Sequence, residues 1–458
     1  MAPAEERAIA VLDVGKTNVK AALFDRDGSI LAERGMPNRV VGTGPYPHAD
    51  VDAIWAFALA ALRELDGLRR IGDLVVTTHG ASGALVGDDG LVLPVMDYEW
   101  DGPATLATYD AQRPPFSETF SPPMPVGLNL ARQVAWQQDH RPEAFARARW
   151  LLAYPQYWSW RLSGVAATEV TSLGCHTDLW APFADRPSSL VERRGWVRLL
   201  PPRRDAWDVL GPVTPEVAAA TGLAPDVRVR VGIHDSNASL LPHLADTPAP
   251  FTVVSTGTWV ILMAVGAPLA ALDPAADMLV NVAASGAPVP TARFMGGREY
   301  AALAGEGASL PDLADIEAVI RAGTLAVPCF SPQGGPYAAH AGRIEGPSPG
   351  TPEGRAALAT LYSALMTDDL LNRLGATAGP LVVEGRFASN PAFGALLAAL
   401  RPDQQVLAAP DTAGTALGAA LLASWPSPQR VAARHLLAPA TLDGLAACRE
   451  RWRSLLPR

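Results

Sequence analysis

Two short segments combine glycine, threonine and small polar residues in a pattern that suits a phosphate group: Asp13-Val14-Gly15-Lys16-Thr17-Asn18 and Ser255-Thr256-Gly257-Thr258. A tight turn of such residues offers backbone N–H groups and hydroxyls with no bulky side chain in the way. Lys16 and Lys20 are the only lysines in the chain. An arginine-favouring codon bias explains the scarcity but not the placement, since both lysines fall beside the first turn, where a compact ammonium can reach a phosphate oxygen. Asp13 closes the apolar run Ile9–Leu12 and is placed to hold the magnesium that a polyphosphate carries. Either turn alone reads as an ordinary hairpin; together they point to a bound nucleotide. Asp235, in Gly232-Ile233-His234-Asp235, follows a third apolar run. Beyond the carboxyl end of a strand it can take the proton of a hydroxyl during phosphoryl transfer, a contribution of roughly 10²–10⁴ in rate. Its competing role is to cap a helix, because Asp235-Ser236-Asn237 is good capping chemistry.

These residues need strands ending at one edge. Ile9–Leu12, Val19–Phe24 and Ser29–Glu33 read as three strands joined by turns, and Val51–Leu65 has helical spacing with Ile54, Trp55, Ala58, Leu59 and Leu62 on one side. Leu74–Thr78 is a strand ending at His79-Gly80, Leu128–Gln138 a helix, Val227–Ile233 a strand and Ala238–Leu244 a helix. After the linker Ala245–Pro250 the opening device returns, with strand Phe251–Val254, a turn, and strand Trp259–Ala264. Helix Pro352–Leu374, strand Leu381–Val383, the turn Glu384–Asn390 and helices Pro391–Leu400 and Thr415–Ala423 follow. Alternating strands and helices make the class α/β. Gly15-Lys16-Thr17 copies the end of a Walker A loop, but Ala10 stands where its first glycine belongs and a strand, not a helix, comes next.

Length and charge exclude several classes. The chain has 458 residues, enough for two or three domains, and 49% hydrophobic residues. Its longest apolar stretches, such as Ala56–Leu62 and Ala416–Ala423, fall short of the ~20 residues of a membrane span. With 46 acidic against 37 basic residues and a net charge of −9, and no basic run, nucleic acid and membrane are poor partners. Cys175, Cys329 and Cys448 are scattered, which fits a reducing cytosol; with no apolar leader at the start, a cytoplasmic protein is expected. Gly42-Thr43-Gly44 is followed by Pro45, so no dinucleotide fingerprint forms.

The segments Asp13–Lys20, Gly232–Asp235, Ser255–Trp259, Glu384–Asn390 and Gly418-Ala419-Ala420, taken in this order, resemble the successive signatures of the FGGY carbohydrate kinases. The resemblance implies two ribonuclease-H-like (actin-like ATPase) domains with a cleft between them: residues 1–244, 251–425, and a helical extension 426–458. It implies ATP, Mg²⁺ and a small-molecule sugar, with a homodimer compatible. Asp13, Gly15, Lys16, Thr17, Asn18 and Lys20 then belong to the first phosphate loop, Gly257 and Thr258 to the second, and Glu384, Gly385 and Asn390 to the adenosine motif. The family usually has glycine where Glu384 stands. Asp235 is the implied base and Asp13 the metal-side acid. His79, Gly80, Tyr98, Glu99, His176 and His234 are the sugar-side candidates. The Gln-Met-His and Trp-x-Asp-x-Arg patterns of xylulose kinases are missing, so the chain looks closer to kinases of deoxyketoses such as L-fuculose or L-rhamnulose. The reading that competes with an enzyme is a sugar-responsive regulatory protein on the same scaffold.

Overall fold

In the computed structural model, which describes residues 6–269, 272–305, 307–331, 334–409, 414–427 and 434–457, the strand Ala8–Val14 is covered on both faces. Ala8, Ala10, Leu12 and Val14 join one apolar cluster, and Ile9 and Val11 another, as the two-residue period of a strand requires. The first cluster includes Ile54, Ala58 and Leu62 of helix Val51–Leu68 and Tyr157 and Trp158 of helix Tyr154–Ser163. The second includes Ala238 and Leu241 of helix Asp235–Leu244 and Leu417 and Ala420 of helix Gly414–Leu421. This double cover is what a sheet with parallel strands needs.

The sheet runs Val209–Pro212, Arg228–Arg230, Ile71–Thr78, Ala8–Val14, Asn18–Phe24, Ile30–Pro37, with Ile233–His234 also paired to Ile71–Thr78. Ala8–Val14 and Ile233–His234 both run parallel to Ile71–Thr78, while the first three strands form an antiparallel meander. No helix follows Gly15-Lys16-Thr17, in line with the rejection of a Walker A loop. The single strand expected over Val227–Ile233 is split. Gly232 takes a left-handed φ of +88°, and a Cβ there would lie 2.6 Å from the Val76 carbonyl, so the chain steps aside before Ile233.

Two units divide the chain: Met1–Asp246 with Val280–Pro288 and Ala413–Val431, and Thr247–Leu279 with Val289–Thr412 and Ala432–Arg458. The crossing at 246/247 lies within the expected linker. Helix Gly414–Leu421, expected in the second domain, groups with the first unit. Gly418 shows why: a Cβ there would lie 1.7 Å from the Ala238 carbonyl, so this helix meets Asp235–Leu244 backbone to backbone.

The second unit repeats the strand, turn, strand device. Its sheet includes, in order, Pro288–Phe294, Val260–Val265, Phe251–Thr256, Leu381–Gly385, Val406–Ala409 and His435–Leu436, and Phe251–Thr256 runs parallel to Leu381–Gly385. Helices Pro352–Arg373, Pro391–Leu400 and Leu445–Leu455 share its core. Of the expected extension 426–458, 428–433 and 458 lie outside the described residues, 426–427 group with the first unit, and 434–457 are built into this one. Trp452 is buried with its indole N–H donating to the Ala326 carbonyl at 2.7 Å. Arg449 and Arg453 join Arg401 around the buried carboxylate of Asp368. A buried charge needs such partners.

Candidate active site

Three parallel strand ends define the site in the first unit. Across the sheet Asp13 pairs with Thr77, and Thr77 with Ile233, so Asp13 and Asp235 end up on either side of the central strand Ile71–Thr78 at its carboxyl end. Ligands of open α/β sheets bind at such ends. Asp235 is the first residue of its helix, the N-cap being His234. From that N1 position its carboxylate accepts the adjacent Ser236 N–H, the N2 amide, at 2.6 Å, and so takes up one of the free amides of the first turn. About a third of that side chain stays exposed, so a ligand atom can reach it. Burial pushes the Asp235 carboxyl up, opposed by neighbouring His79 and by the Ser236 bonds. Burial and then the charge of Asp235 push Asp13 up to about 7, with Lys20 pulling the other way. Two desolvated carboxylates are hard oxygen donors that gain from a divalent cation. Among the described residues no cluster of three or more metal-ligating side chains exists. Mg²⁺ requires none, since it keeps waters and takes one or two carboxylates beside substrate phosphates. The donor set therefore fits Mg²⁺.

The histidines around Asp235 are held by protein atoms. His79 Nδ1 lies 3.0 Å from the Val14 carbonyl, which can only accept, so Nδ1 carries the proton and Nε2 takes the Ser82 hydroxyl at 3.1 Å. Burial brings its pKa down to about 4, leaving the ring neutral. His234 is 5% exposed. Its Nδ1 faces the Asn237 amide at 3.1 Å, and its Nε2 lies 3.5 Å from Cys175 Sγ and 3.1 Å from the Asp235 carboxylate. Burial lowers it too, to about 4. His79 and His234, expected beside the sugar, thus both hydrogen-bond protein atoms that hold the strand ends in place. Gly80 serves the same packing, since a Cβ there would sit 2.7 Å from His234 Nε2. His176 has φ +40° and its Nδ1 donates to the Leu128 carbonyl at 3.0 Å. Sequence reasoning missed Glu169, fully buried, which accepts the Thr171 hydroxyl at 2.6 Å while that hydroxyl accepts the His234 N–H at 3.2 Å. Its signature, an acid before Val-Thr-Ser at a helix start, is visible only as an ordinary cap.

The first turn closes with Gly15 N–H to the Asn18 carbonyl at 2.9 Å, and Asn38 braces it through the Gly15 and Thr17 carbonyls. Thr17 and Asn18 are exposed. Lys20 reaches the Glu33 carboxylate at 3.1 Å. Lys16 turns to Asp97, lies 3.4 Å from Glu99 and stands 4.7 Å over the Tyr98 ring. Tyr98 also meets the His79 ring at 5.6 Å.

In the second unit Gly257 N–H bonds the Trp259 carbonyl at 2.8 Å, which leaves Thr258 exposed at the tip. The Arg293 guanidinium, held by Asp277 at 2.9 Å, covers the Trp259 ring at 4.7 Å. The Thr256 hydroxyl donates to the Glu384 carbonyl and accepts the Phe387 N–H at 2.8 Å, pinning the Glu384–Asn390 turn beside the first one. Gly385 has φ +76°, and a Cβ there would lie 2.1 Å from the Thr256 carbonyl. Asn390 is turned inward. Its amide caps helix Pro391–Leu400 by accepting the Phe393 N–H at 3.3 Å and donates to the Thr360 hydroxyl at 3.2 Å, which fixes the end of the turn.

Residues 248–432 match the family described as carbohydrate kinase FGGY, C-terminal domain. The L-fuculokinase of Escherichia coli (strain K12) is 29% identical over 274 residues, covering 57% of this chain and 57% of that protein. A probable L-xylulose kinase of Pasteurella multocida (strain Pm70) is 24% identical over 56% of this chain and 55% of its own. The match thus spans little more than half the length of these curated relatives. Among solved structures, a carbohydrate kinase from Novosphingobium aromaticivorans agrees with a TM-score of 0.90 and 36% identity over 98% of each chain. Xylulose kinase from Rhodospirillum rubrum has the same fold, with a TM-score of 0.78 at 20% identity over 98% of each chain. On the 36% match along its whole length and the signatures at the strand ends, the chain belongs to the FGGY carbohydrate kinase family.

Proposed function

We propose that this chain transfers the γ-phosphoryl group of ATP to a hydroxyl of a ketose or 6-deoxyketose, with L-fuculose and L-xylulose the first sugars to test. The observation that carries the reading is the pair Asp13 and Asp235 flanking the carboxyl end of Ile71–Thr78. Asp235 takes the proton of the attacking hydroxyl. Its raised pKa makes it a stronger base than a surface carboxylate, and the Ser236 N–H keeps one oxygen fixed while the other faces substrate. Asp13 would hold Mg²⁺, which when bound supplies positive charge to the β- and γ-phosphate oxygens. The Gly15–Asn18 turn is the proposed phosphate contact of the first unit. In the second unit the Gly257-Thr258 turn and the Glu384-Gly385 backbone are the proposed nucleotide contacts. The sugar is placed at Tyr98, Glu99 and Gly80, and the names of the relatives support the choice of sugars.

The test is ADP release, coupled to an indicator reaction, with MgATP and a panel of ketoses, deoxyketoses, aldoses and polyols. Release that depends on one sugar supports the kinase and names its substrate. If every sugar leaves release at the no-sugar level and none raises the melting temperature, the proposal fails.

A further inference from the structure

A lysine kept for phosphate has no need of two carboxylates. Lys16 nonetheless pairs with Asp97 and lies 3.4 Å from Glu99, with its ammonium over Tyr98. The segment it grips is fixed from behind. Asp97 N–H donates to the Pro47 carbonyl at 2.9 Å, Gly127 N–H to the Tyr98 carbonyl at 2.9 Å, and the Asp97 carboxylate accepts Glu99 N–H at 3.1 Å. The phosphate turn is fixed as well, by Asn38. Two rigid parts of the first unit are therefore strapped by one flexible side chain. The Lys16 and Asp97 side chains are 22% and 10% exposed, so water and salt screen this pair less than a surface pair.

We propose that Lys16 is a charge shared between the two ligands of the site, and that its release from Asp97 and Glu99 couples sugar binding to nucleotide binding. The inference rests on the kinase reading, which puts phosphate at Gly15–Asn18 and sugar at Tyr98 and Glu99, next to Asp97. A phosphate that draws Lys16 away frees two carboxylates to accept hydrogen bonds from sugar hydroxyls. A sugar that occupies those carboxylates frees the ammonium for phosphate. The ion pair has to be broken once, so whichever ligand binds second does so without that cost, and the gain is the same in either order.

The test is a double-mutant cycle read by calorimetric titration with Mg²⁺ and AMP-PNP, the non-hydrolysable ATP analogue, and no sugar. With Lys16 present, Asp97→Asn combined with Glu99→Gln should tighten AMP-PNP roughly five- to tenfold. In a Lys16→Met background the same two substitutions should change its affinity by less than about twofold. Glu99→Gln alone neutralises an exposed side chain, preserves the Asp97 backbone bond, and should show the same sign at smaller size. Equal tightening in both backgrounds means simple loss of negative charge near a phosphate and overturns the inference, as does no tightening at all. If the wild-type chain does not bind AMP-PNP, the kinase reading falls and this inference with it. Binding without Lys16-dependent tightening removes the inference alone.

Discussion

Replacing Asp13 by asparagine should stabilise the ligand-free protein at pH 8 and leave its stability at pH 4 nearly unchanged. An Asp carboxyl ordinarily titrates near 3.8, and burial with the neighbouring Asp235 moves this one to about 7. Between those values the folded protein holds a proton that the unfolded chain has lost, so stability falls as pH rises through that window and is level above it. Holding the ionised group folded then costs on the order of 4 kcal/mol, and solvent contact of the side chain reduces this to roughly 2 kcal/mol. Asparagine has no such dependence. The difference between the two proteins should open from near zero at pH 4 to roughly 2 kcal/mol at pH 8, or a rise of roughly 4–8 °C in the first melting transition. Scanning calorimetry at half-unit steps of pH measures it. Added Mg²⁺ should raise the wild-type transition at pH 8 and leave that of the variant in place. A constant offset across the whole pH range, or a variant less stable than wild type at pH 8, would show that Asp13 is not a desolvated carboxylate and would remove the argument for its metal role.

Asp235→Asn should keep AMP-PNP affinity and lose ~10²–10⁴ of kcat in the ADP-release assay; turnover within tenfold of wild type would sink the base assignment. Gly80→Ala puts a methyl 2.7 Å from His234 Nε2, and should cost ~1–3 kcal/mol of stability and at least tenfold in kcat; normal turnover would mean that His234 does not position Asp235. Gly385→Ala combines a φ of +76° with a Cβ 2.1 Å from the Thr256 carbonyl, so it should lower stability by ~3 kcal/mol or more and weaken AMP-PNP binding. Melting and titration curves like those of the wild type would contradict that account of the turn.

Much of the fold is legible in apolar periodicity and turn residues. The strand, turn, strand device could be read twice because Asp25–Gly28 and the Gly/Thr turns interrupt short apolar runs, and Pro391–Leu400 is bounded by Asn390 and Arg401 as the pattern suggested. What stayed hidden depends on distant contacts. Nothing local shows that Gly232 must leave room for the Val76 carbonyl, or that Gly418 lets helix Gly414–Leu421 join the first unit. The tail looked like a separate polar extension because its arginines are many, yet Arg449 and Arg453 exist to neutralise Asp368, about 80 positions earlier. At the site, residue types indicated Asp13 and Asp235 because acids at strand ends are rare and exposed to ligands. They did not show the protein partners of His79, His234 and Asn390, whose hydrogen-bonding atoms engage backbone and side chains that no spacing reveals.

The guanidinium of Arg293 lying over the Trp259 ring gives the second unit a spectroscopic handle. An indole under a fixed cation emits according to the local electric field, and Gly257 and Thr258 stand immediately before it in the chain. If the turn takes phosphate as proposed, the arriving negative charge lies beside the stacked pair, and Trp259 emission should shift as nucleotide binds. Subtracting the signal of Trp259→Phe separates it from the other tryptophans, and stopped-flow fluorescence then follows nucleotide arrival and departure in real time, without a label and without turnover.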